Sequence, residues 1–355
     1  MSDFVRIKEF KIGRKNPCFI IAEAGVNHNG DIDIAHKLID AAKLAGADAV
    51  KFQSFKAEAL VTSDSKKADY QLKTTNGDNS QLSMLKKLEL STLEQAQLKK
   101  HCDDKGILYL CTPYEHESAD LLEQIGVDAY KIASTDTSNI PFLRYLAKKG
   151  IPVLLSTGMS DLGDVEKSVN ELKTHGLAGK IIILQCTSEY PAPIEDINLL
   201  SMKTMGTAFN CPVGFSDHTP GLGASPWAVA AGACVIEKHF TLDKNMEGPD
   251  HKASINPDEM KELVRTVRNV ELALGDGIKR IMPSEAKNKS KMRKSLVAVR
   301  KIPAGEIIKQ EYLACKRPGT GLSPEWFDKV IGKHAAIDID KEQVLTLDAI
   351  SWKAE

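Results

Sequence analysis

The sequence predicts an α/β protein, a (β/α)8 (TIM) barrel followed by a small β-rich domain. Three observations lead there. Eight short apolar runs, rich in Val, Ile, Leu and aromatics, lie between residues 18 and 240. They lack the strict alternation of a half-exposed sheet, as expected of parallel strands covered on both faces. A helical pattern separates successive runs, and eight such repeats suit a closed barrel better than an open doubly wound sheet, which usually stops at about five to seven strands. No GxGxxG follows the first run.

That first run is CFIIAE, 18–23. The helix after it, IDIAHKLIDAAKLAGA at 32–47, sets Ile34, Leu38, Ala41, Ala42 and Ala45 on one stripe and stops at Gly46. DAVKFQ, 48–53, is the second strand. Its connection to the next helix, about 54–91, is polar and Gly/Asn-bearing, and a loop that long inside a compact domain is functional or mobile. LSTLEQAQLKKHCDDKG, 90–106, opens on a Ser91 or Thr92 cap and closes on Gly106; DLGDVEKSVNELKTHG, 161–176, behaves alike. ILYLCT 107–112, DAYKIAS 128–134, IPVLLST 151–157, IIILQCT 181–187, PVGFSD 212–217 and CVIEKHF 234–240 complete the eight strands. After a last helix the barrel domain is placed at 1–277, a charged, Pro-containing linker at 278–294, and the β-rich domain at 295–355. A domain that small is near the limit of independent stability and is expected to lean on the barrel of a partner chain.

Bulk composition excludes several roles. With 42% hydrophobic and 27% charged residues the chain is an ordinary globular protein. Lys+Arg 47 against Asp+Glu 48 gives a formal charge of −1, hence no long-range attraction to nucleic acid or an anionic membrane. No run of 18 apolar residues and no signal-peptide core occur, so the expected location is the cytoplasm. Seven cysteines without CxxC spacing read as reduced, buried thiols.

In such a barrel the chemistry sits where strands end and βα loops begin. The tails are strongly polar: Glu23; Lys51 and Gln53; Thr112; Lys131 and Ser134; Ser156 and Thr157; Thr187, Ser188 and Tyr190; Ser216, Asp217 and His218; Glu237, Lys238 and His239. His218 and His239 end adjacent strands whose axes lie ~4.8 Å apart, close enough to share one ion. Two imidazoles without thiolates leave an open shell that suits Mn2+, Mg2+ or Co2+ and polarises a carbonyl. Asp217 and Glu237 orient those rings, complete the shell, or pair with neighbouring lysines. Lys51 and Lys131, inside apolar runs, need carboxylates or a ligand anion, and Thr112, Ser134, Ser156 and Ser216 supply donors for a phosphate or carboxylate. GPDHKAS, with Asp250, reads either as a plain turn or as sugar-hydroxyl acceptors over the barrel mouth, and Arg317, before the rigid turn of KRPGTG, either as an exposed arginine or as a reaching anion or sugar contact. A metal- or Schiff-base-dependent aldolase on a pyruvate or sugar substrate and a non-catalytic carbohydrate-binding protein are the competing readings.

Together AEAGVNHNG, VKFQSF, YKIAS, LSTGM, CTSEYPAP, GFSDHT, IEKHFTLDK, GPDHKAS and KRPGTG resemble the N-acetylneuraminate (sialic acid) synthase family, in order and spacing, over nearly the whole chain. The resemblance implies a barrel followed by an antifreeze-like (SAF) domain in a domain-swapped homodimer. It implies a metal-dependent, carbon–carbon bond-forming transferase that joins phosphoenolpyruvate to an N-acylated mannosamine-type aldose, with Mn2+ the usual metal. Carried over residue by residue, His218 and His239 look like the metal ligands, and Lys51, Thr112, Lys131, Ser134, Ser156, Ser188 and Ser216 like the phosphoenolpyruvate pocket. Glu23, Gln53, Asn76, Tyr190 and Asp250 look like sugar contacts, Glu23 with a possible proton-transfer role, and Arg317 would reach the N-acyl group in the partner's barrel. Ser188 stands where some members carry Asn. The motifs fit neuraminate or N,N'-diacetyllegionaminate members better than pseudaminate ones, leaving N-acetylmannosamine and 2,4-diacetamido-2,4,6-trideoxymannose as the two sugars.

Overall fold

The computed structural model describes residues 4–75 and 79–352, in two compact units, Met1–Gly275 and Asp276–Glu355. In the first, eight parallel strands close into a barrel: β1 (Phe19–Gly25), β2 (Ala49–Ser54), β3 (Leu108–Pro113), β4 (Tyr130–Ile132), β5 (Val153–Ser156), β6 (Ile181–Cys186), β7 (Val213–Asp217) and β8 (Val235–His239). They pair in chain order, and β8 returns to β1 with His239 beside Glu23.

Each strand alternates between two apolar layers. Ile20, Ala22, Val50, Phe52 and Tyr109 pack outward with Leu38 and Ala42 of α1 (Ile32–Ala45) and Leu98 of α2 (Thr92–Lys105). Ile21, Ala49, Leu110, Leu154 and Leu184 form a second cluster within the barrel. Both faces being apolar, the alternation is invisible as polarity in the sequence. It continues past the apolar layer: Glu23, Lys51, Thr112, Ser156 and Cys186 each stand two residues beyond one of those inward positions and line the open end. A hairpin of Phe4–Ile7 with Phe10–Gly13, unforeseen in the sequence, sends Val5, Ile7 and Ile12 into the interior cluster and stoppers the amino end.

The helix signals act as read, with small shifts. Asp31 accepts from the Asp33 and Ile34 amides to start α1, and Gly46 ends it in the left-handed region. Its buried stripe is turned so that Ala35 and Ile39 are covered while Ile34 and Ala41 sit at the margin. Ser91 and Glu94 form a reciprocal capping box on α2, which closes on Gly106. The 54–91 connection contains three short helices, Ala57–Leu60, Asp69–Thr74 and Gln81–Lys86. Phe55, Ala57, Met84, Leu85 and Leu88 from it pack with Val26 into a satellite cluster.

The second unit has its own core, including Leu296, Ala298, Ile302, Ile308, Leu345 and Ile350. Two antiparallel strand pairs, Ser295–Ala298 with Leu313–Lys316 and His334–Ala335 with Ile350–Ser351, frame it. Within the stretch that reads as a linker, Pro283–Met292 is an exposed helix. Among the described residues no helix is long and apolar enough to cross a membrane.

Candidate active site

The open carboxyl end of the barrel holds a cavity of about 550 Å³ whose floor is an alternating set of charges. Lys51 Nζ lies 2.6 Å from Glu23 Oε2 and 3.8 Å from Glu237 Oε2. Lys131 Nζ lies 3.5 Å from Glu237 Oε1 and donates to Ser156 Oγ at 2.7 Å. Ser216 donates to Glu237 Oε1 at 2.9 Å, Lys51 to Thr112 Oγ1 at 3.3 Å, and Gln53 to Glu23 Oε1 at 3.3 Å. Strand register makes this possible, since Glu23 stands beside Lys51, Gln53 beside Thr112 and Ser216 beside Glu237.

Burial makes the two carboxyls unequal. Glu23 is pushed up to about 7 because desolvation outweighs the opposing pull of Lys51. Burial also acts to raise Glu237, but Lys131 and Lys51 overcome it and hold that carboxyl at about 2. Burial acts to lower Lys51, whose two carboxylate neighbours win and raise it; burial wins at Lys131, which is lowered. The floor thus carries one permanent anion, one carboxyl that changes charge near neutrality, and two lysines.

Above it, the His218 and His239 rings are 5.4 Å apart between centroids and inclined at 57°. The Tyr190 ring packs at 4.1 Å from His218 and 5.6 Å from His239. His218 Nδ1 donates to the Thr187 carbonyl at 2.7 Å, which leaves Nε2 as its available nitrogen. His239 is held neutral, its pKa far below the usual value through burial and then His218, and its buried Nδ1 has no hydrogen-bond partner. With metal–nitrogen bonds of ~2.0–2.1 Å, rings this close fit a single cation. Among the described residues no group of three or more His, Cys, Asp and Glu is arranged to hold an ion. Burial alone would lower His218, but Cys186 and the Thr187 carbonyl outweigh it and raise the pKa, so a cation there competes with a proton.

Of the residues anticipated from the sequence, the cavity gathers Glu23, Lys51, Gln53, Thr112, Lys131, Ser134, Ser156, Ser188, Tyr190, Ser216, His218, His239 and Asp250. Burial pushes the Asp250 carboxyl up to about 6. Asn76 lies outside the described residues, and Arg317 belongs to the second unit, where it is exposed. The floor has two further members. Glu237 precedes His239 by two residues and therefore shares its face, a period-two signal present in the sequence. Cys186, expected to be a core thiol like the others, lines the cavity, with Sγ 3.9 Å from His218 Nδ1. Asp217 and Lys238, by the same parity, face away from the imidazoles and pair with each other at 3.2 Å.

Gly158 shows how closely the mouth is packed. Its amide donates to Ser134 Oγ at 3.0 Å, and a Cβ there would lie 2.1 Å from Ser188 Oγ and 2.7 Å from Ser134 Oγ. Gly158→Ala is expected to displace both hydroxyls and weaken anion binding about tenfold, of the order of one hydrogen bond to a charged group. Titration calorimetry with inorganic phosphate checks this; unchanged affinity would remove Ser134 and Ser188 from the anion site.

Residues 38–279 match the model of the NeuB family, and residues 293–351 that of the SAF domain. The chain is 48% identical over 327 residues to the N,N'-diacetyllegionaminic acid synthase of Campylobacter jejuni subsp. jejuni serotype O:2, covering 92% of this chain and 98% of that protein. It is 42% identical over 341 residues to the N,N'-diacetyllegionaminic acid synthase of Legionella pneumophila subsp. pneumophila, covering 95% and 96%. A crystal structure of N-acetylneuraminic acid (sialic acid) synthetase from Leptospira borgpetersenii serovar Hardjo-bovis, in complex with citrate, aligns with a TM-score of 0.73 at 34% identity, covering 81% of this chain and 95% of that one.

Proposed function

Because the chain belongs to the NeuB family, we propose that it condenses phosphoenolpyruvate with an N-acylated mannosamine-type aldose and water, giving a nonulosonic (sialic-type) acid and inorganic phosphate. One observation carries the reading: two buried lysines and a ring of hydroxyls share a cavity with a pair of imidazoles 5.4 Å apart. Phosphoenolpyruvate brings a phosphate and a carboxylate, and Lys51, Lys131, Thr112, Ser134, Ser156 and Ser216 supply charged and neutral donors for both.

Carbon 3 of phosphoenolpyruvate attacks the aldehyde carbon of the open-chain sugar, whose oxygen takes up a proton from solvent. Water adds to carbon 2, and the tetrahedral adduct expels phosphate by cleavage of the C–O bond, leaving a 2-keto acid. His218 and His239 would hold a divalent cation, most simply Mn2+, which would supply Lewis acidity towards a carbonyl oxygen. Lys51 and Lys131 hold the phosphate and balance its charge as it leaves. Glu23, poised near neutrality, accepts the proton lost by the attacking water. Glu237, kept anionic, spaces the two lysines. The working form is a homodimer in the cytoplasm, with the partner's SAF domain presenting Arg317 to the N-acyl group.

The test is inorganic phosphate release on mixing the protein with phosphoenolpyruvate, an N-acylated mannosamine and Mn2+; no release with any such sugar sinks the proposal. Glu23 adds a pH dependence. Below about 7 its carboxyl is protonated and cannot accept a proton, so kcat/KM is expected to fall about tenfold per pH unit on the acid side. In Glu23→Gln the rate drops ~10²-fold or more and that acid limb disappears. An unchanged limb in the variant would assign it to another group.

A further inference from the structure

Resting on the proposed condensation, we infer that Asn29 and His251 are positioning residues: they clasp the loop 241–254 at the cavity mouth and hold Asp250 against the aldose, whichever aldose is bound. Closure of the barrel sets β8 beside β1, so the loops that leave these two strands are neighbours. The first carries the end of AEAGVNHNG and the second carries GPDHKAS. Pro249 and Asp250 reach the cavity, whereas His251, next in the chain, is fully buried.

The clasp is a chain of hydrogen bonds. Burial lowers the His251 pKa, so the ring is neutral and offers one donor and one acceptor. Its Nδ1 accepts from the Thr241 hydroxyl at 2.6 Å, and its Nε2–H donates to Asn29 Oδ1 at 3.2 Å. Asn29 Nδ2 then donates to the Glu247 carbonyl at 2.8 Å. Asn27, also buried, ties down both ends of the loop. Its Nδ2 donates to the Phe240 carbonyl and to Ser254 Oγ, each at 2.9 Å, and Ser254 donates in turn to the Asp250 carbonyl at 2.7 Å. Gly248 leaves the space this needs, since a Cβ there would lie 2.6 Å from His251 Cδ2 and 2.7 Å from Asn29 Oδ1. From the 54–91 connection, Thr74 donates to the Pro249 carbonyl at 3.1 Å. A loop aspartate keeps one place only when such bonds offset the entropy of ordering it, and a misplacement of ~1 Å costs up to ~10²-fold. Lys51, Thr112, Lys131 and Ser156, which face the phosphoenolpyruvate, stand on strands β2 to β5 and do not depend on this clasp.

Phosphate release is measured with whichever of N-acetylmannosamine and 2,4-diacetamido-2,4,6-trideoxymannose the wild type turns over. Asn29→Ala should raise the KM for that aldose ~10-fold or more while the KM for phosphoenolpyruvate stays unchanged. Gly248→Ala, which wedges a methyl between Asn29 and His251, should do the same, so the test survives if either variant folds poorly. Asp250→Ala should also raise the aldose KM, and adding Asn29→Ala to it should cost nothing further, because the clasp then has nothing to position. Hydrogen exchange read by mass spectrometry should quicken over 246–254 in Asn29→Ala and stay unchanged in α1. An aldose KM unmoved in both clasp variants overturns the inference, as does an equal rise in the KM for phosphoenolpyruvate. A full additional loss on top of Asp250→Ala overturns it too, since Asn29 would then act on something other than Asp250. No release by the wild type with either sugar overturns the condensation, and this inference with it.

Discussion

His239→Ala, and separately His218→Ala, is expected to cut phosphate release by at least ~10²–10³-fold, the range for removing one group that stabilises developing charge. The fold should survive. Each ring is inward-facing at the open end of its strand, outside both barrel clusters, and neither anchors a helix. His239 Nδ1 has no hydrogen bond to lose, while His218 gives up its bond to the Thr187 carbonyl and its contact with Cys186 Sγ. The decisive accompaniment is metal affinity: calorimetric titration of Mn2+ should show binding lost in both variants, with the circular dichroism spectrum unchanged. Normal Mn2+ affinity in either one would dissociate the imidazole pair from the cation. Since burial keeps His239 neutral whereas His218 sits above its usual pKa, affinity should also weaken as pH falls and His218 takes a proton.

Lys238→Met should be the most destabilising exchange on the strand ends. Lys238 and Asp217 are cross-strand neighbours on β8 and β7, wholly buried, with Nζ 3.2 Å from Asp217 Oδ2. The same carboxylate accepts from the Thr219 amide at 2.8 Å, Thr219 Oγ1 at 2.6 Å, the Ser225 amide at 3.0 Å and Ser225 Oγ at 2.5 Å. Removing the cation leaves a buried carboxylate unpaired, which costs about 3–5 kcal/mol; the four remaining hydrogen bonds place the expected loss near ~3 kcal/mol. Urea unfolding measures it. The double variant Asp217→Asn, Lys238→Met removes both charges and should recover much of the loss, and failure to recover would mean that packing, not charge, is what Lys238 contributes. Because this pair joins the strands immediately before His218 and His239, the single variant should also weaken Mn2+ binding.

Pairs such as Asp217 with Lys238 show where reading a sequence reaches its limit. The tails SDH and EKH each place two residues on the inner face and one on the outer. In a half-exposed strand the hydrophobic partners would reveal which is which, but the barrel's strands are apolar on both faces, so the face of a polar residue at a strand end cannot be told from its neighbours. For that reason the sequence does not assign Glu237 a single role or separate Cys186 from the core thiols. The 54–91 connection is a second case. Its composition is polar, yet Leu60, Met84 and Leu85 are brought together only once its helices fold.

What the sequence determined by itself was the count and order of strand–helix units, the helix caps at Ser91, Gly46 and Gly106, and the polar residues that end each strand. These are local properties, written in spacing, turn chemistry and composition within a few residues of each other. Tertiary structure alone decided which of those polar groups meet. Closure of β8 onto β1 sets His239 beside Glu23, and the inward phase of eight strands brings Lys51 and Lys131 each within 4 Å of a Glu237 oxygen. Contacts between residues so distant in the chain depend on register and on the removal of water around them, and neither exists until the barrel has closed.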